Sequence, residues 1–202
     1  TNADIIAEVL TASGFFSVDT ILDNDSNLTL NLITQYDLFV SVNQSNNKTL
    51  CNEALQAGIP GVMGPARSGE SVAYVCQLML TTENAAGNYS PIYSIDESGI
   101  APMPGPFTPF VNTKYIGYFR RVNMLPDVNV LCTLYNNDNT YGTVMLFDKN
   151  IPLVNGSTLP ARAAVVGPLY NAAYTADGAL LLVYCALWAA SSQATVEGKV
   201  QA

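Results

Sequence analysis

The residues most suggestive of chemistry lie in one stretch, Gly58-Ile59-Pro60-Gly61-Val62-Met63-Gly64-Pro65-Ala66-Arg67-Ser68-Gly69-Glu70-Ser71. A short apolar run leads through glycines into a candidate helix, the kind of junction where α/β enzymes place a phosphate or a nucleophile. As a phosphate loop, Gly64 to Ser71 fits G-x-x-x-x-G-K-S except at the lysine. Glu70 stands there and sets negative charge against negative charge, which Arg67 alone does not offset. As a nucleophile elbow, the apex Met63-Gly64-Pro65-Ala66 carries no Cys, Ser or Thr. Ser68 is near, but the chain contains no histidine, so the commonest general base and transition-metal ligand is missing. A hydroxyl or thiol nucleophile needs a base and an oxyanion hole. The stretch therefore reads as an active-site-shaped turn without a nucleophile, and no catalytic residue, cofactor or metal is assigned.

Other candidates give equally bland readings. Asp23-Asn24-Asp25-Ser26-Asn27 resembles the first half of a calcium loop, but the sixth position is Leu28 and the twelfth Thr34, which excludes an EF-hand and leaves a solvated turn. Cys51, Cys76, Cys132 and Cys185 show no C-x-x-C spacing and read as small buried hydrophobes, with a disulfide or two as the alternative. Asn24, Asn27, Asn43, Asn47, Asn88 and Asn155 open N-x-S/T triplets. These suit either glycosylation or a surface rich in Asn and Thr.

Composition limits the classes further. Apolar residues make up 49% of the 202, charged residues only 12%, and the net charge is −8. No basic patch is available for nucleic acid. The longest apolar run, Gly178 to Ala190, is too short to span a bilayer. The chain starts at Thr1, which suggests processing or a piece of something longer.

The elements that would position these residues alternate. Asp4 caps a helix with apolar Ile5, Ile6, Val9 and Leu10, and Gly14 stops it. Strands are expected at Phe15 to Leu22, Asp37 to Val42 ("DLFVSV") and Ile59 to Met63, a polar loop at Asp23 to Asn31, and helices at Lys48 to Ala57 and Glu70 to Leu80. This order argues for a parallel sheet covered on both faces. Asn84 to Phe110, rich in Pro, Gly and aromatics, reads as a long ordered loop. Val128 to Tyr135 and Tyr141 to Phe147 flank "NNDN", a hairpin signal. Ala163 to Leu169 is a buried strand, and Thr175 caps a final helix over Ala176 to Ala190, with Leu180, Leu181, Tyr184, Cys185 and Trp188 as its apolar stripe. The expectation is one α/β domain over 1–202: a three-layer, flavodoxin-like sandwich, mostly parallel, with an antiparallel hairpin in its second half.

"YDLFVSV", "LQAGIPGVMG" and "YTADGALLLVYCALWAA" resemble the class I glutamine amidotransferase-like group, including the ThuA-like sugar-utilisation domains, over most of the chain. Catalytic members carry a cysteine at the turn and a histidine base; this sequence has neither. The resemblance thus implies a non-catalytic module. It also implies a strand ahead of the first helix, for which Thr1 leaves no room. Residues upstream, or a segment from a neighbouring subunit, are expected to fill it.

The low charge and the Asn/Thr/Tyr surface point to a structural or interaction module of an extracellular assembly, such as a virion coat, decoration or tail component, or a secreted adhesin. Its partners would be copies of itself, other subunits or a surface glycan. Tyr89, Tyr93, Phe107 and Phe110 form the candidate contact loop, unless they fold back over the sheet edge. Two alternatives stay open: a ThuA-like carbohydrate-processing enzyme using carboxylates such as Asp96 and Glu97, and a carbohydrate-binding module using the Tyr-bearing loop.

Overall fold

The computed structural model describes residues 2–42, 47–64, 71–82, 85–89, 91–94, 105–112, 114–135, 138–169 and 173–191. The first helix, α1, spans Asn2–Ala12. Its i and i+4 residues Ile6 and Leu10 are buried, as an amphipathic helix requires. Gly14, at φ +78°, ends it, while Asp4 sits inside the first turn rather than capping it.

Phe15 to Leu22 is not a strand. It belongs to no strand or helix, and Phe15, Ile21 and Leu22 are exposed. Phe16 and Val18 alone reach the core, so apolar content without pairing misled the strand reading. A one-turn helix, α2 (Leu30–Ile33), follows, capped by Thr29.

Strand β1 (Phe39–Ser41) pairs in parallel with β2 (Gly61–Met63), which pairs in parallel with β9 (Ala163–Val166). Helix α3 (Lys48–Gln56) joins β1 to β2. It buries Cys51, Ala54 and Leu55 at i, i+3 and i+4 and ends in a Schellman pattern. Gly58 takes φ +88°, its N–H donates to Leu55 O at 2.9 Å, and Ile59 N–H donates to Ala54 O at 3.0 Å.

The expected helix to Leu80 is only one turn, α4 (Val72–Val75). Gln77 adopts φ +63°, and Leu78 N–H donates to Ala73 O at 2.9 Å. The same termination thus occurs without a glycine to signal it.

The Asn84–Phe110 loop is also corrected. It contains β3 (Ala85–Tyr89), β4 (Ile92–Ser94) and β5 (Pro106–Phe107). Then come β6 (Lys114–Arg120), a 3₁₀ turn at Arg121–Asn123, β7 (Asn129–Tyr135) and β8 (Asp138–Phe147). The β7–β8 hairpin forms where "NNDN" places it.

Among the described residues the sheet order is β1-β2-β9-β8-β7-β4-β5, with β6 joining β3 to β8. The class is α/β, but the sheet is mixed. Only β1–β2 and β2–β9 are parallel, and the pairings of β3 to β8 are antiparallel. The mostly parallel, flavodoxin-like expectation is therefore corrected. Among the described residues β1 ends the sheet order, and Phe15 to Leu22 forms no strand beside it.

Strands β2, β8 and β9 alternate between two buried clusters. Val62, Val144, Leu146, Ala164 and Val166 join α1 and the last helix, α5 (Ala176–Ala190). Met63, Met145, Phe147, Ala163 and Val165 join α3 and α4. Thr175 Oγ1 caps α5 by accepting from Gly178 N–H at 3.1 Å. At its other end Arg162 donates to Trp188 O (3.2 Å) and Asp148 Oδ1 (2.8 Å), with its guanidinium 4.7 Å from the Trp188 ring centre.

Candidate functional site

Parallel strands gather the loops that follow them at one edge, which is where open α/β sheets bind ligands. Here that edge is formed by the carboxyl ends of β1 and β2. In β1, Phe39 and Ser41 face one way and Val40 the other, because side chains alternate. Phe39 and Cys51 belong to the cluster under α3 and α4, Val40 to the opposite one. Ser41 thus points toward α3, a direction where apolar neighbours are the rule.

Ser41 is 8% exposed, and its hydroxyl has no hydrogen-bonding nitrogen or oxygen partner. Its polar neighbour is the Cys51 thiol, which is weak in either role. Asn52, next on α3, carries a second buried oxygen, Oδ1, without a partner.

The amino end of α3 is built around Asn47. Its side chain does not cap the helix. Instead Nδ2 donates to Asp23 Oδ1 (3.0 Å) and to the Asp23 carbonyl oxygen, and the Asn47 N–H donates to the same Oδ1 (3.3 Å). The Asp23–Asn27 turn is thereby tied to α3. Within it Asp25 Oδ1 accepts from Asn27 N–H at 2.8 Å, an Asx turn. Among the described residues no three His, Cys, Asp or Glu cluster to hold a metal ion.

The thiols here are not activated. Burial pushes Cys51 up, the Ser41 hydroxyl pulls it partly back, and the Asp23 charge pushes it up again. Burial and then Cys51 push Cys76 up. Burial alone takes Cys185 to about 12. All four cysteines are buried, and none is in a disulfide. A nucleophilic thiol needs a lowered pKa, so this edge offers hydrogen bonds rather than a thiolate.

The sequence-chosen residues scatter. Phe107 and Phe110 are buried at 6% and 1% exposure, and Phe110 packs on Tyr174 with ring centres 5.1 Å apart. For these two the covering role holds. Tyr93 is half-buried on β4, and Tyr89 lies on β3, its side chain outside the described residues. Ser68, Arg67, Glu70, Asp96, Glu97 and Asn43 lie outside the described residues. Ser71 caps α4 through Tyr74 N–H at 3.1 Å. Ser41 and Asn47 were missed as site residues. The one available signal was a serine at an inward position of "DLFVSV".

No family model matches the chain, and no curated protein matches it in sequence. Solved structures that share its fold include two from Salmonella typhimurium. The cytoplasmic protein STM1381 from Salmonella typhimurium LT2 has a TM-score of 0.58 and 13% identity, over 92% of this chain and 85% of that one. The cytoplasmic protein STM3548 from Salmonella typhimurium has a TM-score of 0.51 and 12% identity, over 81% and 74%. Both neighbours are cytoplasmic proteins, which overturns the expectation of an extracellular or virion-borne module, secreted adhesin included. Nothing in these likenesses supports a structural role in an assembly, and neither name mentions the amidotransferase-like group.

Proposed function

We propose that this chain is a ligand-binding α/β domain, taking a small polar molecule at the carboxyl edge of β1 and β2. One observation carries the reading: the Ser41 hydroxyl, buried at the end of a parallel strand with no nitrogen or oxygen partner. Leaving a buried hydroxyl unsatisfied costs about 1–3 kcal/mol. Buried polar groups are otherwise nearly always paired, and the exceptions gather where function requires them. The raised pKa of Cys51 favours binding over covalent chemistry. The reading keeps, as a proposal, the kinship of the Gly61–Gly64 turn with the amidotransferase-like group, in a form without nucleophile or histidine.

Thermal unfolding against a panel of small polar metabolites tests it. A ligand at about 100 times its Kd adds about 2.7 kcal/mol to the folded state, and a domain of this size gains about 2–4 °C per kcal/mol. The expected result is a concentration-dependent rise in Tm that Ser41→Ala removes. A rise that survives Ser41→Ala would place binding elsewhere, and no rise across the panel would refute the reading.

A further inference from the structure

We infer that the group received at Ser41 is uncharged and carries both a hydrogen-bond donor and an acceptor, as an alcohol or a carboxamide does; this rests on the binding reading above. The amino end of a helix ordinarily favours an anion, because its first N–H groups and the macrodipole give it a partial positive charge. Helix α3 has nine residues, enough for that effect, but the anion's place is already taken. Asp23 Oδ1 accepts from both the backbone N–H and the Nδ2 of Asn47. A phosphate or carboxylate arriving at Ser41 would meet this negative charge, which also acts on the neighbouring Cys51, and like charges repel.

A cation gains little either, since the Asp23 carboxylate and the helix end largely offset each other. What remains to be served is neutral: the buried Ser41 hydroxyl, able to donate and accept, whose polar neighbour is only the weakly bonding Cys51 thiol. A neutral group with both capacities serves this hydroxyl without bringing a charge out of water.

The test uses the full chain, isotopically labelled, with amide signals followed by NMR. Acetamide and ethylene glycol are the neutral probes, and inorganic phosphate is the anionic one. The neutral probes are expected to shift the Ser41 and Cys51 amides saturably, about tenfold more weakly in Ser41→Ala, the ratio for one lost hydrogen bond. Phosphate is expected to leave both amides in place. A saturable phosphate shift that Ser41→Ala removes would overturn the neutral class while leaving the site standing. No shift with any probe would overturn both, and the hydroxyl would then belong to a buried water. Asp23→Asn supplies an independent check: removing the carboxylate should let phosphate shift the Cys51 amide. Failure to gain that response would overturn the charge argument.

Discussion

The hairpin β7–β8 and the parallel pair β1–β2 are built to opposite standards. In the hairpin, Val130, Leu131, Cys132, Val144, Met145, Leu146 and Phe147 are each at most 1% exposed. The buried Thr143 hydroxyl there donates to Cys132 O at 3.1 Å. In the parallel pair each strand has three residues, β1 stands at the end of the sheet, and the buried Ser41 hydroxyl has no such partner. One region satisfies its polar atoms internally and holds the fold. The other leaves a buried hydroxyl with only a thiol beside it, at the carboxyl end of a parallel strand. The contrast separates scaffold from site without reference to any catalytic motif.

The largest effects should fall on the scaffold, at glycines that let backbones approach. A Cβ at Gly167 would overlap the carbonyl oxygens of Gly117 and Thr143, and one at Gly178 would overlap Pro109 O. Backbone cannot step aside as a side-chain tip can. Gly167→Ala should therefore lower unfolding free energy by about 3 kcal/mol, the upper range for overpacking, as read by urea denaturation. A loss under about 1 kcal/mol would mean that β9 shifts freely, and the sharp division between the regions would soften.

Next comes the alkaline limb. The unfolded thiol titrates near 9 and Cys185 in the fold near 12. Its folded pKa is raised, so its contribution is complete below pH 9 and is lost as pH rises toward 12. Within that window stability should fall steadily as pH rises, because the unfolded chain loses this thiol proton first. Cys185→Ala should flatten that part of the stability profile. An unchanged slope would show that Cys185 ionises as freely in the fold as outside it. A smaller effect belongs to the α5 cap. Thr175 Oγ1 accepts from Gly178 N–H and donates to Thr108 O, so Thr175→Ala should cost about 1 kcal/mol.

The legible parts of the fold were those whose pattern and pairing coincide. Thr175 before an apolar run gave α5, "NNDN" between β-rich runs gave the hairpin, and Gly58 gave the end of α3. The misses share a physical cause. Phe15 to Leu22 is apolar enough for a strand, yet exposure of Phe15 and Leu22 shows that composition does not supply a ladder partner. Gln77 stops α4 in a conformation that glycine normally marks, so the boundary carried no signal. β3 to β5 lie among prolines and glycines that read as loop, because their strand character comes from partners beside them: β6 for β3, β7 for β4, and β4 for β5. The site was less legible still. A serine in an apolar strand is unremarkable until register shows which face it takes and what fails to meet it.

The smallest expected effect tests the central claim most directly. Ser41→Ala and Thr143→Val each remove one buried hydroxyl, and urea denaturation compares them on one scale. Thr143→Val deletes a satisfied hydrogen bond and should lower unfolding free energy by about 1 kcal/mol. Ser41→Ala deletes a hydroxyl whose polar neighbour is only the weakly bonding Cys51 thiol and should leave stability within about 0.5 kcal/mol or raise it. A loss at Ser41 equal to or greater than that at Thr143 would show that its hydroxyl serves the fold, and would contradict the assignment of this edge as the site.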